Sequence, residues 1–340
     1  MNSRVFRVGL LGIIFLSIPV FLSVNLPPDE YYWAGIVSLT IPIFLFFNLG
    51  GGIYFLLLRS KWLFVPTLIL ITSFPVYSNL FSLHSNINQV GATLNILSYN
   101  VDSFKYFSKT SSNEFEINMQ SFENWVRSNQ LDILCIQEMV EVGKAPYLID
   151  EYERASSLKI TRDGDHLGLF IFSKYPIIGE GNIEFAENSY NRLMWVDIVA
   201  FKDTIRVANV HLMSYDFNNG TLGQNIKAIR TGVMARSWHT KLIHQFIENS
   251  PHPVLLMGDF NETPYSYSYR SISNLLKDAF VTSGVGFDYT YLFLGLPFRI
   301  DHVFIDPHLQ SSQYQIIHGL DHWSNHSPVL VQIGLPDPGE

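Results

Sequence analysis

Polar side chains recur at the ends of the most apolar runs in this chain. Asn100 closes "NILSYN", Glu138 closes "DILCIQE", His211 closes "VANVH", and Asp259 and Asn261 close "VLLMGDFN". Asp301 interrupts "FRIDHVF", while Asn325 and His326 crowd the mouth of a last apolar run in "GLDHWSNHSPVLV". Polar groups beside a buried strand are costly unless something uses them. Taken singly, each has an ordinary explanation: an Asn or Asp after a strand bonds its own turn, and a His can be a satisfied core residue. Together they form an oxygen-rich, thiolate-free set, which favours a hard cation such as Mg²⁺, Mn²⁺ or Ca²⁺ over structural zinc. A carboxylate on such a cation, two histidines of tunable pKa and carboxylates to orient them are the parts needed to attack a phosphate ester with water. There is no G-x-x-x-x-G-K-[ST] loop, so no nucleotide cofactor is expected, and there is no G-x-S-x-G, H-E-x-x-H or C-x-x-C. The one cysteine, Cys135 in "LDILCIQE", reads as a small buried hydrophobe.

The elements that must position these groups are short apolar runs alternating with helical patterns. Strands are expected at "TLNILSYNV", "LDILCIQEM", "LGLFIFSKYPI", "LMWVDIVAF", "TIRVANVHLMS", "PVLLMGDFN", "FRIDHVFID", "YQIIHGL" and "SPVLVQIGL". Many are apolar on both faces, as in a sheet covered on each side. Asn113 with Glu116 three residues on is a capping-box pattern, and Phe115, Met119, Phe122 and Val126 follow at helical spacing. Further helices are expected over Asn225 to Ile247 and Ser266 to Phe280. Residues 93–340 thus read as one layered α/β domain. A polar stretch, "SLHSNINQVGAT", supplies a linker over 82–92.

Residues 1–81 are of another kind. The whole chain is 47% apolar and 15% charged, and the excess lies in three charge-free runs, Val8 to Leu26, Tyr31 to Leu58 and Trp62 to Phe81. Each is about the length that spans a bilayer as a helix, so three transmembrane helices are expected. Arg4 and Arg7 precede the first run and Arg59 and Lys61 follow the second, whereas the first loop carries only Asp29 and Glu30. Basic residues are retained on the cytoplasmic side, which sends everything after the third helix to the periplasmic or extracellular face of an inner or plasma membrane. Without those four basic and two acidic residues, the remainder is more acidic than the net −8 of the whole chain. An acidic surface does not suit bulk binding of long nucleic acid.

The blocks "LSYNV", "CIQE", "VHL", "GDFN", "RIDHVF" and "SNHSPV" resemble, in this order and spacing, the endonuclease/exonuclease/phosphatase superfamily, over about Leu94 to Val331. The loops "LMGDFNETPYSYSY" and "DAFVTSGVGFDYTY" further resemble its secreted or membrane-tethered bacterial members. The resemblance implies a four-layer α/β sandwich, two mixed sheets flanked by helices, with a site dependent on Mg²⁺ or Mn²⁺ at one end. It implies Glu138 as principal metal ligand, with Asn100 beside it on the metal shell or the phosphate. His211 would bind the phosphate and protonate the leaving oxygen, and Asp259 and Asn261 would orient the attacking water and hold a phosphate oxygen. Asp301 would fix His326, which acts as general base or as a protonated stabiliser. The substrate implied is a phosphodiester, either nucleic acid or a phospholipid head group. One block departs: Ser324, Asn325 and His326 stand where the family usually has Ser-Asp-His. Asn325 can offer an oxygen to a metal but no negative charge, which motivates a weakened or non-catalytic binding module as the alternative.

Overall fold

The structure is a computed structural model, described over residues 3–84, 92–108, 112–141, 151–161, 164–186, 189–201, 203–215 and 221–334. The chain divides into two compact units.

The first unit holds residues 1–80 together with 214–240 and 263–271. Its helices are Ser3–Ser23, Tyr32–Ser38, Ile41–Leu57 and Phe64–Tyr77. Two helical segments, Arg4–Ser23 and Lys61–Leu80, are long and apolar enough to cross a membrane. A third crossing is available if Tyr32–Ser38 and Ile41–Leu57, bent by 48°, count as one span. The bend falls where Pro42 opens the second of that pair; proline lacks the N–H needed to continue a helix but suits its first turn. Ile14, Phe21, Ile41, Phe55, Ile69 and Tyr265 pack inward, while Phe46, Ile53, Leu57 and Ile71 are exposed, so these helices are apolar all round, as lipid-facing helices are. The helix Leu222–Glu248 begins in this unit. Its Val233 lies so close to Gly35 that a Cβ on the glycine would come within 2.8 Å of the valine Cβ, and its Arg230 lies over the Tyr32 ring at 4.2 Å.

The second unit is the α/β part. One six-stranded sheet runs in the order Gln310–Ile316, Val329–Gly334, Thr93–Asn100, Ile133–Glu141, His166–Ser173, Glu153–Ile160. The other runs Lys277–Asp278, Asp301–Ile305, Val254–Asp259, Asp203–His211, Arg192–Ala200, Ile177–Glu184. Each sheet contains one parallel pair, 93–100 with 133–141 and 203–211 with 254–259. The sheets face each other across a core of Ile96, Ile133, Ile171, Val196, Met257 and Val303. The outer face of the first sheet is covered by the helix Ser112–Ser128 through Phe115, Met119, Phe122 and Val126, at the spacing expected. This is the expected sandwich of two mixed sheets with helices outside.

Among the described residues, several elements differ from expectation; the strand expected at "YQIIHGL", for one, is Gln310–Ile316. "LGLFIFSKYPI" is not one strand: it breaks at Lys174–Pro176, and Ile177–Glu184 crosses to the other sheet. The edge strand Glu153–Ile160 was not foreseen, because its polar sequence lacks an apolar run. The helix expected over 266–280 splits into Tyr267–Ser273 and Ala279–Ser283. Asp278 causes the split: its carboxylate accepts the N–H of Phe280 and caps the second helix, while Lys277 and Asp278 pair with the strand Asp301–Ile305.

Candidate active site

Register brings the polar residues to one end of the sandwich. In the second sheet His211 lies opposite Asp259, and Asp259 opposite Asp301. Asp301 stands at the start of its strand rather than interrupting it, because that strand runs antiparallel to 254–259 and so begins where its neighbour ends. In the first sheet Asn100 lies opposite Gln137, and His326 precedes Val329–Gly334, which is antiparallel to Thr93–Asn100. The Asp301–His326 pair therefore joins the two sheets and not neighbouring strands of one sheet.

Two backbone devices aim the carboxylates. Glu138 does not end its strand; it sits in an irregularity of the ladder between Ile136 and Met139, with φ of +52°. Such a bulge re-aims one side chain and leaves carbonyls without ladder partners. Asn209 supplies them: its Nδ2 donates to the oxygens of Ile136 and Phe170, both at 2.9 Å, and its Oδ1 accepts from Gln137 Nε2 at 2.7 Å. Gly258, before Asp259, has φ of +144°, and a Cβ there would meet the Val210 carbonyl oxygen at 2.0 Å. Only glycine fits such a position.

The resulting cluster is compact. Asn100 Nδ2 donates to Glu138 Oε1 and to Asp259 Oδ2, both at 2.9 Å, while its Oδ1 accepts the N–H of Asp102. Asn100 thus ties the carboxylates together, and its own oxygen is engaged by the backbone. His211 Nε2 lies 3.4 Å from Glu138 Oε1 and 3.7 Å from Asp259 Oδ2. His326 Nδ1 lies 2.9 Å from Asp301 Oδ2, and its Nε2 lies 3.8 Å from Asp259 Oδ2. Asn261, also at positive φ, donates its N–H to Asp259 Oδ1 and its Nδ2 to the Leu212 oxygen. Ser324 Oγ donates to the Asn100 oxygen and accepts the N–H of His326. Asn325 is exposed, outside this hydrogen-bonded cluster, as are Asp321 and His322.

Two contributors lay outside the sequence reading. Asp102 is half-buried, and its carboxyl is raised by burial and by the charge of Glu138, with His326 and Lys105 opposing. It opens four consecutive non-glycine residues, 102–105, with φ between 44° and 60°. Left-handed backbone costs about 1–2 kcal/mol per residue and is tolerated where packing over-determines it. Here Ser103 Oγ donates to the Glu138 oxygen, Phe104 packs on Phe122 at 5.2 Å, and Lys105 Nζ donates to the Asp321 oxygen. The Gln137–Asn209 pair is the second contributor. Its signal was present in "CIQE" and "VANVH", where an amide stands one or two residues before the acid and the imidazole.

Burial disfavours the charged form of His326, but Asp301, Asp259 and Glu138 outweigh it and raise its pKa to about 10. Burial also pushes Asp301 up, with His326 pulling it back. Negative charge is therefore concentrated here with one imidazolium to balance it. A divalent cation fits such a site. Ligand atoms of Glu138, His211 and Asp259 lie within 4.8 Å of one another, and so do those of Asp259, Asp301 and His326. His211 Nε2 and Asp301 Oδ1 are buried without a hydrogen-bond partner.

Comparison with known proteins agrees with this fold. Residues 97–322 match the model of the Endonuclease/Exonuclease/phosphatase family, and residues 3–80 match that of a domain of unknown function. No curated protein matches. Among solved structures, an endonuclease/exonuclease/phosphatase from Bacteroides vulgatus is 18% identical with a TM-score of 0.56, over 72% of this chain and 100% of that one. A family protein from Leptotrichia buccalis is 16% identical with a TM-score of 0.52, over 72% and 100%. TDP2 from C. elegans is 18% identical with a TM-score of 0.53, over 71% and 75%. With two facing mixed sheets and a carboxylate–imidazole cluster at one end, the chain belongs to the endonuclease/exonuclease/phosphatase family.

Proposed function

We propose that this chain is a membrane-anchored hydrolase that cleaves a phosphodiester with the help of Mg²⁺ or Mn²⁺, its catalytic part facing the non-cytoplasmic side. The observation that carries this reading is the convergence of Glu138, Asp259, His211 and the Asp301–His326 pair from two sheets onto one sandwich end. Glu138 would hold the cation, which when bound supplies positive charge to the phosphate oxygens. His326, oriented by Asp301 and kept as imidazolium by three carboxylates, holds a non-bridging oxygen. Asp259, fixed by Asn100 and the Asn261 N–H, takes the proton of the attacking water. Asn261 uses Nδ2 on Leu212, which leaves Oδ1 to orient that water. His211 delivers a proton to the leaving oxygen.

The anchor reading is supported by contacts inside the first unit. Asp29, in the loop after the first apolar helix, accepts from Ser237 Oγ at 2.6 Å. Pro75, near the end of the last apolar helix, accepts from Arg270 at 2.7 Å. With three crossings both partners are on one side of the bilayer; with two they would face opposite compartments. The charge pattern makes that side the outer one.

The test is hydrolysis of bis-p-nitrophenyl phosphate by the full-length chain in detergent, with Mg²⁺ or Mn²⁺. Activity is expected to vanish with chelator and in Glu138→Ala and His326→Ala. Turnover that survives chelation or both substitutions overturns the mechanism. A periplasmic reporter fused at the C-terminus that reads cytoplasmic overturns the orientation.

A further inference from the structure

From Tyr289 to Phe298 the sequence, "YTYLFLGLPF", carries no charged side chain. It forms a hairpin in which Tyr291–Phe293 pairs with Leu296–Phe298. Both turn residues have positive φ, Leu294 at 50° and Gly295 at 78°, as the tightest hairpins require. A leucine in that conformation is strained, and this one is 87% exposed. All of residues 292–297 are exposed, including Leu292, Phe293 and Leu296. The leucines of the tip stand well out from the chain, Leu294 at 87% and Leu296 at 59% exposed, so their apolar character points to a partner outside it.

The root of the hairpin is fixed to the candidate site. Tyr291 forms a backbone bridge with His326, and their rings lie 4.8 Å apart. Thr290 accepts the N–H of Ser327 at its carbonyl and the N–H groups of Ile300 and Asp301 at its hydroxyl. On the other side, Val285 and Gly286 pair with Leu83 and Ser82. Ser82 follows by two residues Leu80, the end of the apolar span Lys61–Leu80. In sequence the ribbon thus begins two residues beyond that span, and its Leu83 and Val285, with the following Phe287, are exposed as well.

We infer that the hairpin 291–298 seats its leucines in the lipid layer, and that the ester reaching His326 is the phosphate of a lipid head group. This rests on the phosphoesterase reading. A nucleic-acid strand would call for cations along this rim, and residues 285–298 contain none.

The experiment places the full-length chain in nanodiscs of phosphatidylethanolamine and phosphatidylglycerol, with Leu294→Cys carrying an environment-sensitive fluorophore. Cys135 is fully buried and leaves the label specific. Quenching by doxyl-labelled lipid but not by aqueous iodide is expected; quenching by iodide alone overturns the insertion. This readout does not depend on hydrolysis, so it separates failure of the hairpin inference from failure of the phosphoesterase reading. In parallel, Leu294→Asp with Leu296→Asp is expected to lower the ratio of vesicle-phospholipid to bis-p-nitrophenyl phosphate turnover at least tenfold, with Ile160→Asp leaving the ratio unchanged. Cleavage of plasmid DNA without cleavage of vesicle lipid by the unsubstituted chain would assign a nucleic-acid substrate and overturn the inference.

Discussion

Asp301 and His302 are neighbours on one strand, and each belongs to a buried cluster containing a histidine. The two clusters behave oppositely. His326, facing Asp301, Asp259 and Glu138, is raised to about 10. His302 is lowered to about 3, first by burial and then by Arg299, against a weaker pull from Asp278. Its Nδ1 accepts from Arg299 at 2.9 Å, and its Nε2 donates to the Glu262 oxygen at 2.7 Å. Arg299 in turn pairs with Asp278 at 2.8 Å. Burial is common to both histidines, so the charge of the partners decides the sign. One cluster holds a proton on His326 at the candidate site; the other is a neutral brace under the loop that follows Asp259.

Breaking the first cluster has the largest expected effect. Asp301→Asn removes the carboxylate that orients and charges His326, and phosphodiester turnover is expected to fall by about 10²–10⁴-fold. The His326 pKa should drop in the same variant, read by NMR of the labelled imidazole. In the second cluster, Arg299→Met strands Asp278 without its cation and should cost about 3–5 kcal/mol, measured by denaturant unfolding in detergent. That variant should also lift the His302 pKa.

Acid sharpens the contrast further. The folded pKa of His302 lies below its unfolded value of 6.5, so its contribution is intact above pH 6.5. It is lost as pH falls towards 3, because the unfolded chain takes up the proton first. The loss is on the order of 5 kcal/mol when complete, and His302→Gln should flatten that slope. Asn209→Leu, which leaves the Ile136 and Phe170 carbonyls unpaired, is expected to cost about 1–3 kcal/mol for each buried group left unsatisfied. It should also reduce turnover through Glu138. The smallest effect is expected from Asn325→Asp. Asn325 is exposed, so the added charge should tighten Mg²⁺ by less than about tenfold, as read by calorimetry.

Much of the candidate site was legible because its residues stand within or at the ends of runs that are apolar on both faces, where a single Glu or His stands out. Glu138 and His211 are of this kind. The bulge that aims Glu138 was not legible, since it is a property of pairing with 166–173 and not of the run itself. Asp102 was missed for a related reason: its place depends on a left-handed turn built from Asp, Ser, Phe and Lys, none of which signals that conformation. The inner strands were read from their burial, whereas Glu153–Ile160 and Ile177–Glu184 are sheet edges that alternate with solvent and offer no apolar run.

The family match begins at residue 97, which suggests a soluble fragment obtained by cutting after the last apolar helix. The compact unit built around Asp29, Gly35 and Pro75 does not respect that cut. Val233 and Tyr265, both nearly fully buried, lie within the matched region yet share their unit with the N-terminal helices. A fragment lacking residues 1–80 would bare them and leave Ser237 and Arg270 without the partners described above. Such a fragment is expected to aggregate or to demand detergent despite lacking the apolar helices, so biochemistry on this chain has to start with residues 1–80 in place.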